Sequence, residues 1–214
     1  ASQLHKELEN LLLRFPRFLK KYMVLTMVAT QEFGRRYLVE YPLPRAPLIV
    51  GEEQEQAKID TIDHHLMKEC YENPRHSYIH LATKYHLNPK TIIKKMRMLE
   101  EKRIIQGYGA LLDCAKYNYI ANKIFLRYHY LSLDKEEELL KFLRQQKNVV
   151  RISKVLGEWD LVIDTENANT HEFRELNVQL RSLYGDIIRD IDYCQVFQTR
   201  KVSYLPRSFF LEVH

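Results

Sequence analysis

Apolar positions recur at helical spacing in six stretches and alternate in most of the runs between them. Leu4, Leu8, Leu11 and Leu12 share one face of a predicted helix over 3–14, which Pro16 stops. The apolar run 18–30 contains Tyr22, Val24 and Val28 and predicts a strand, continued over 35–41 after a turn near Gly34. Pro42, Pro44 and Pro47 follow in quick succession and predict a connector over 42–57. Ile59, Ile62, Leu66, Met67 and Cys70 predict a helix over 59–72, ended by Asn73-Pro74. Ser77 caps a short helix reaching about Tyr85, and Asn88-Pro89 starts another reaching about Glu101. The glycine-containing run 104–113 predicts a strand-turn or wing.

The second half alternates more regularly. Strands are predicted over 122–131, 149–156, 161–165 and 187–204. Helices are predicted over 134–145, opened and capped by acidic residues, and over 171–183, ended by Gly185. This order, β-α-β-β-α-β, is the ferredoxin-like arrangement of two helices on one face of an antiparallel sheet. The predicted class is therefore α+β, with an N-terminal helix-strand arm (1–41), a Pro-rich linker (42–57), a winged helix-turn-helix domain (58–113) and a ferredoxin-like domain (120–206). The arm and the chain end share a weak pattern of helix, break, strand and a Tyr-Leu pair, Tyr37-Leu38 and Tyr204-Leu205. On that pattern the arm reads as half of a ferredoxin-like unit, whose bare apolar face and sheet edge favour dimerisation.

Charge sharpens one part of this picture. The net charge is only +5, yet residues 84–103 hold seven Lys or Arg against Glu100 and Glu101. A short basic helix with one buried side suits a polyanion, and the DNA major groove accepts such a helix. Three widely spaced cysteines argue against a disulfide framework and a structural zinc site and fit a reducing cytoplasm. No stretch reaches the ~20 apolar residues of a membrane span, and residues 1–10 do not read as a signal peptide. The nine histidines do not cluster at metal spacing. His76 and His80 at i, i+4 read as a cap and a surface residue. No metal, cofactor or catalytic residue is expected.

Residues 58–113 resemble the N-terminal domain of the leucine-responsive/asparagine regulator (Lrp/AsnC) family. The resemblance rests on Asp60 and Asp63, Leu81-Ala82, Leu87, Pro89, Thr91, Met96, Leu99-Glu100, Ile104-Ile105, Gly107-Tyr108, Ala110 and Leu112-Asp113. The following βαββαβ unit is similar to the sensing and dimerising domain of that family, and Gly157-Glu158-Trp159-Asp160 to its Gly-x-x-Asp turn. Lys102-Arg103 stands where a glycine is usual, Ile93 where a small polar residue is usual, and residues 1–57 lie outside the pattern.

The resemblance implies a dimeric or larger cytoplasmic regulator of transcription that binds double-stranded DNA. Asn88, Lys90, Thr91, Lys94 and Lys95 are the expected contacts of the second helix. Arg97, Lys102 and Arg103 suit the DNA backbone, and Tyr78, with His80, suits phosphate. A small effector such as an amino acid is implied near Gly157 and Asp160, although the same residues suit a plain turn with a local hydrogen bond. An enzyme of the tetrapyrrole-decarboxylase kind, using His129, His171, Arg127 and Arg151, is the alternative. A winged helix turned to protein contacts is a third reading.

Overall fold

The computed structural model describes residues 2–18, 22–39, 48–51, 58–110, 112–130 and 132–199, with Leu205 and Phe209 singly. Helix α1 (Ser2–Arg14) opens the chain, followed by strand β1 (Thr26–Glu32), a 3₁₀ turn (Arg36–Leu38) and strand β2 (Leu48–Val50). Three helices come next: α2 (Thr61–Glu72), α3 (Tyr78–Lys84) and α4 (Pro89–Glu101). A second 3₁₀ turn (Cys114–Tyr117) leads into β3 (Ile120–Tyr128), α5 (Leu133–Gln145), β4 (Val149–Leu156), β5 (Leu161–Asn167), α6 (Thr170–Tyr184) and β6 (Ile188–Val196).

The sheet is antiparallel with strand order β2-β1-β4-β5-β3-β6. Its last four strands have the ferredoxin-like order expected of βαββαβ. Ile124, Leu126, Val149, Ile152, Leu161 and Ile163 form a core with Leu139, Leu140 and Leu143 of α5 and Phe173, Leu176 and Leu180 of α6. Alternation along β3 and β5 places these side chains on one face. The other face carries a charged row, Glu32–Arg151–Asp164–Lys123, in which Arg151 lies 3.3 Å from Glu32 and 3.6 Å from Asp164. Leu66, Leu81, Ala82, Ile92, Met96 and Leu99 form a separate small core among α2, α3 and α4.

Several expectations change. The first strand begins at Thr26 rather than Phe18, and the expected strand after Gly34 is a 3₁₀ turn. That turn exists because the side chains of residues 35–37 reach in different directions. Arg35 holds Glu166 through two hydrogen bonds of 3.2 and 3.0 Å, and Tyr37 donates to the same carboxylate while stacking on Tyr119 at 4.2 Å. Arg36 instead donates to the carbonyls of Arg144 and Gln146, the orphaned end of α5.

The Pro-rich connector holds β2, which pairs with Thr30–Glu32, so the arm belongs to the same sheet as the ferredoxin-like strands. Residues 42–47 and 52–57 of that connector lie outside the described ones. The run 104–113 forms no strand among its described residues. No strand among the described residues pairs with it, and its first amides return to the Leu99 carbonyl at 2.9 and 3.1 Å. Helix α5 starts after Ser132 without a side-chain cap, contrary to the expected capped start. Strand β6 ends at Val196, and residues 200–204 of the longer expected strand lie outside the described ones. No helix among the described residues is long and apolar enough to cross a membrane.

Candidate nucleic-acid interface

Helix α4 is set by its start. The Asn88 side chain accepts the Lys90 amide at 2.9 Å and Pro89 fills the first turn, where no amide partner is needed. Ile92, Met96 and Leu99 face the small core, which turns Lys90, Thr91, Lys94 and Arg97 to solvent. Lys102 caps the helix, and Arg103 adopts a left-handed backbone (φ 54°), so both basic side chains leave the end of the helix exposed. Tyr78, 42 % exposed, starts α3, whose cap Ser77 accepts the His80 amide at 3.1 Å. Ile93 is half-buried, so it does not lie fully on the exposed row.

Lys95 departs from the expected set of DNA contacts. Its ammonium lies 2.5 Å from Asp60 and 2.9 Å from Asp63, at the N-terminus of α2. Those acids also form a capping box: Asp60 accepts the Asp63 amide at 2.8 Å, and Asp63 accepts the Asp60 amide at 3.0 Å. Burial works against the Lys95 charge, but the hydrogen bonds to Asp60 and Asp63 outweigh it and hold the ammonium above its usual range. The sequence carried a signal for this in Asp-x-x-Asp before an apolar run, an acidic form of the capping box. What it did not show was that α4 returns a lysine to it.

Glu69 is a second hub that the sequence did not reveal. It lies 5 % exposed and accepts from Lys84 at 2.6 Å and the Tyr85 hydroxyl at 2.9 Å. His76 lies 3.8 Å from it and stacks on His80 at 4.7 Å. Burial and the bond to Glu69 push the Tyr85 hydroxyl up to about 12. Among the described residues no group of three potential metal-binding side chains occurs.

These carboxylates fix the response of the domain to acid. The Lys95 hydrogen bond, then the Asp63 amide, holds Asp60 below its ordinary 3.8. Burial raises Glu69, but Lys84 and Tyr85 outweigh it and hold it below its ordinary 4.5. Both groups take up protons at higher pH when unfolded than when folded. Their stabilisation is therefore complete above the ordinary values and is lost as pH falls through the depressed ones. Thermal melting of the helical part should be level above about pH 5 and fall steadily below it. A melting temperature that rises on acidification would contradict this assignment.

The turn between β4 and β5 is already filled by its own chain. Gly157 has φ +142°, and a Cβ there would lie 2.9 Å from the Val24 carbonyl oxygen and 3.0 Å from Leu25. Asp160 accepts the Tyr128 amide at 2.8 Å, and its own amide donates to Leu126 at 2.9 Å. Arg127 donates to the Glu158 carbonyl at 2.6 Å and lies 5.6 Å over the Trp159 ring. The groups suggested for catalysis are dispersed in role. Arg151 is held in the charged row, Arg127 in this turn, and His171 is exposed beside Glu175 at 3.5 Å.

A helix-turn-helix with a basic exposed row, joined to a ferredoxin-like domain, places the chain among transcriptional regulators with a reading head and a second domain. No family model matches the chain. It is 26% identical over 137 residues to an uncharacterised HTH-type transcriptional regulator of Pyrococcus furiosus, covering 62% of this chain and 84% of that one. It is 26% identical over 130 residues to the leucine-responsive regulatory protein of Haemophilus influenzae, covering 58% and 76%. The solved structure of a Neisseria meningitidis transcriptional regulator in complex with L-Met shares the fold, with a TM-score of 0.60 at 21% identity, covering 70% of this chain and 97% of that one. In sequence the chain is thus similar to HTH-type and leucine-responsive regulators, and in fold to AsnC. Its relatives are regulators and not enzymes.

Proposed function

We propose that this chain binds duplex DNA sequence-specifically through the exposed row of α4. The observation that carries this reading is the division of that helix. Ile92, Met96 and Leu99 are buried while Lys90, Thr91, Lys94 and Arg97 stand together in solvent. Lys90 and Thr91 are placed for base edges and Arg97, Lys102 and Arg103 for phosphates, with Lys94 able to serve either. Tyr78 flanks the row. Asn88 is engaged as a cap, and Lys95 orients α4 against α2 in place of touching DNA. The division into an arm (1–41), a linker (42–57), a reading head (58–113) and a sensing domain (120–206) belongs to the same reading. So do a cytoplasmic location and a homo-oligomeric state.

A small amino-acid-like effector at Gly157–Asp160 is the accompanying proposal. Its support is the solved L-Met complex of a protein with this fold. Such a ligand has to be accommodated beside Val24 and Leu25, which already rest on Gly157.

Titration of duplex DNA over a range of salt concentrations tests the interface. Each lysine or arginine that neutralises a phosphate contributes roughly 0.9 to the slope of log affinity against log salt. Replacing Lys94 and Arg97 together by Ala should make the slope shallower by about 2. Lys95→Ala should leave the slope unchanged and lower the melting temperature. The reading fails if the wild-type chain does not bind at low salt, or if Lys95→Ala changes the slope as Lys94→Ala does.

A further inference from the structure

Leu25 precedes Thr26, the first paired residue of β1, which stands opposite Leu156 of β4. One step beyond Leu156 is Gly157, the start of the turn that carries Asp160. A Cβ on Gly157 would meet the Val24 carbonyl oxygen at 2.9 Å and the Leu25 side chain at 3.0 Å. The arm thus rests directly on the turn, and a side chain at position 157 would push it off. Burial singles out the same contact. Leu25 is half-buried, while every other residue from 22 to 28 is exposed.

The rest of the turn carries charges of both signs. Asp160 is exposed, and its carboxylate accepts the Tyr128 amide at 2.8 Å. Arg127, partly exposed, donates to the Glu158 carbonyl at 2.6 Å. An aliphatic amino acid needs an anion for its ammonium, a cation for its carboxylate and an apolar seat for its side chain. Asp160 and Arg127 supply the first two, and Leu25 occupies the apolar place over Gly157.

We propose that Leu25 is a built-in occupant of this site, which a free aliphatic amino acid enters only by displacing it. This rests on the effector reading given above and adds what gates the site. Residues 1–57 lie outside the pattern shared with the Lrp/AsnC regulators, so the gate belongs to this chain's own arm.

The fold keeps the exchange local. Leu25 lies outside the paired register, so it can leave Gly157 while Thr26–Glu32 stay on β4. Strand ends open far more readily than strand interiors. Further along, Arg35 and Tyr37 hold Glu166 and keep the arm beside the sheet. A segment tethered so closely competes at an effective concentration on the order of millimolar, so free ligand has to reach that range.

The test is titration of the full chain with free L-leucine, followed by calorimetry and by the fluorescence of Trp159, which lies in the turn. The wild type should bind in the millimolar range or more weakly. Leu25→Ala should bind about tenfold more tightly, because the seat no longer has to be cleared of a leucine. Glu166→Ala, which loosens the arm without touching the turn, should shift affinity in the same direction. Adding Asp160→Asn, which keeps an acceptor for Tyr128 and removes the charge, should abolish the tight binding of Leu25→Ala. Equal affinities of wild type and Leu25→Ala, both lost with Asp160→Asn, would overturn the gate and leave the effector site standing. Binding by none of the chains, or tight binding that survives Asp160→Asn, would overturn the effector site and the gate together.

Discussion

Leu99→Ala is expected to destabilise the reading head by about 3 to 5 kcal/mol and to abolish DNA binding with it. Leu99 has no exposed surface and sits where α2, α3 and α4 meet, against Leu66, Leu81, Ile92 and Met96. Its carbonyl also receives the amides of Ile104 and Ile105, so a shift here loosens the exit of α4 too. The cost combines lost burial with a cavity, and so small a core has few neighbours able to close it. A domain is commonly stable by about 5 to 15 kcal/mol, so the change takes a large share. The chain has a single tryptophan, Trp159, and it lies in the ferredoxin-like domain. Urea unfolding followed by far-UV circular dichroism should therefore show an early helical transition, while tryptophan fluorescence keeps its midpoint. Leu99→Met, close in volume, should cost less than about 1.5 kcal/mol. Equal effects of the two substitutions would mean that packing at this position does not govern the domain.

Glu166→Ala is expected to release the arm from the sheet. Glu166 is 6 % exposed and receives two hydrogen bonds from Arg35 and one from Tyr37. Burial opposes the Arg35 charge, but the Glu166 bond and its charge raise the guanidinium above its ordinary value. Burial and then Glu166 also raise the Tyr37 hydroxyl well above its own. Removing the acid leaves a partly buried cation and a phenol without their partner. Breaking a fully buried pair costs about 3 to 5 kcal/mol, and because the Arg35 side chain keeps 20% exposure, about 2 to 3 is expected here. Glu166→Gln keeps an acceptor for Tyr37 and should lose less. The urea midpoint reported by Trp159 measures both, and a loss below about 0.5 kcal/mol for Glu166→Ala would show that the clamp contributes nothing.

Local signals in the sequence located most of the helices and the sheet strands. Ser77 and Asn88-Pro89 marked the starts of α3 and α4, and the side chains of Ser77 and Asn88 make those caps. The strand 149–156 was legible because its apolar residues are bounded by a turn at each end. Positions that depend on distant partners were not legible. Lys95 looked like Lys94 from its neighbours, and only the return of α4 to Asp60 and Asp63 separates them. Arg35, Arg36 and Tyr37 read as one strand because nothing near them in sequence announces Glu166, Arg144 or Gln146. The glycine-tyrosine run after α4 had the composition of a wing, but a strand needs a neighbour, and none is present among its described residues. In the Gly157 turn, the backbone requirement was legible and the Val24–Leu25 cover was not.

The pairing of β1 with β4 has a consequence for how the chain is made. Glu32 and Arg151 are 119 residues apart, so β1 leaves the ribosome long before its partner exists. At about 10 residues per second the wait is roughly 12 s, and the whole reading head emerges during it. The three helices of that head make local contacts and can fold in the interval. The arm meanwhile carries its leucines and phenylalanines uncovered on a growing chain. Exposed apolar segments of this kind are what chaperones hold while the partner strand is still being made.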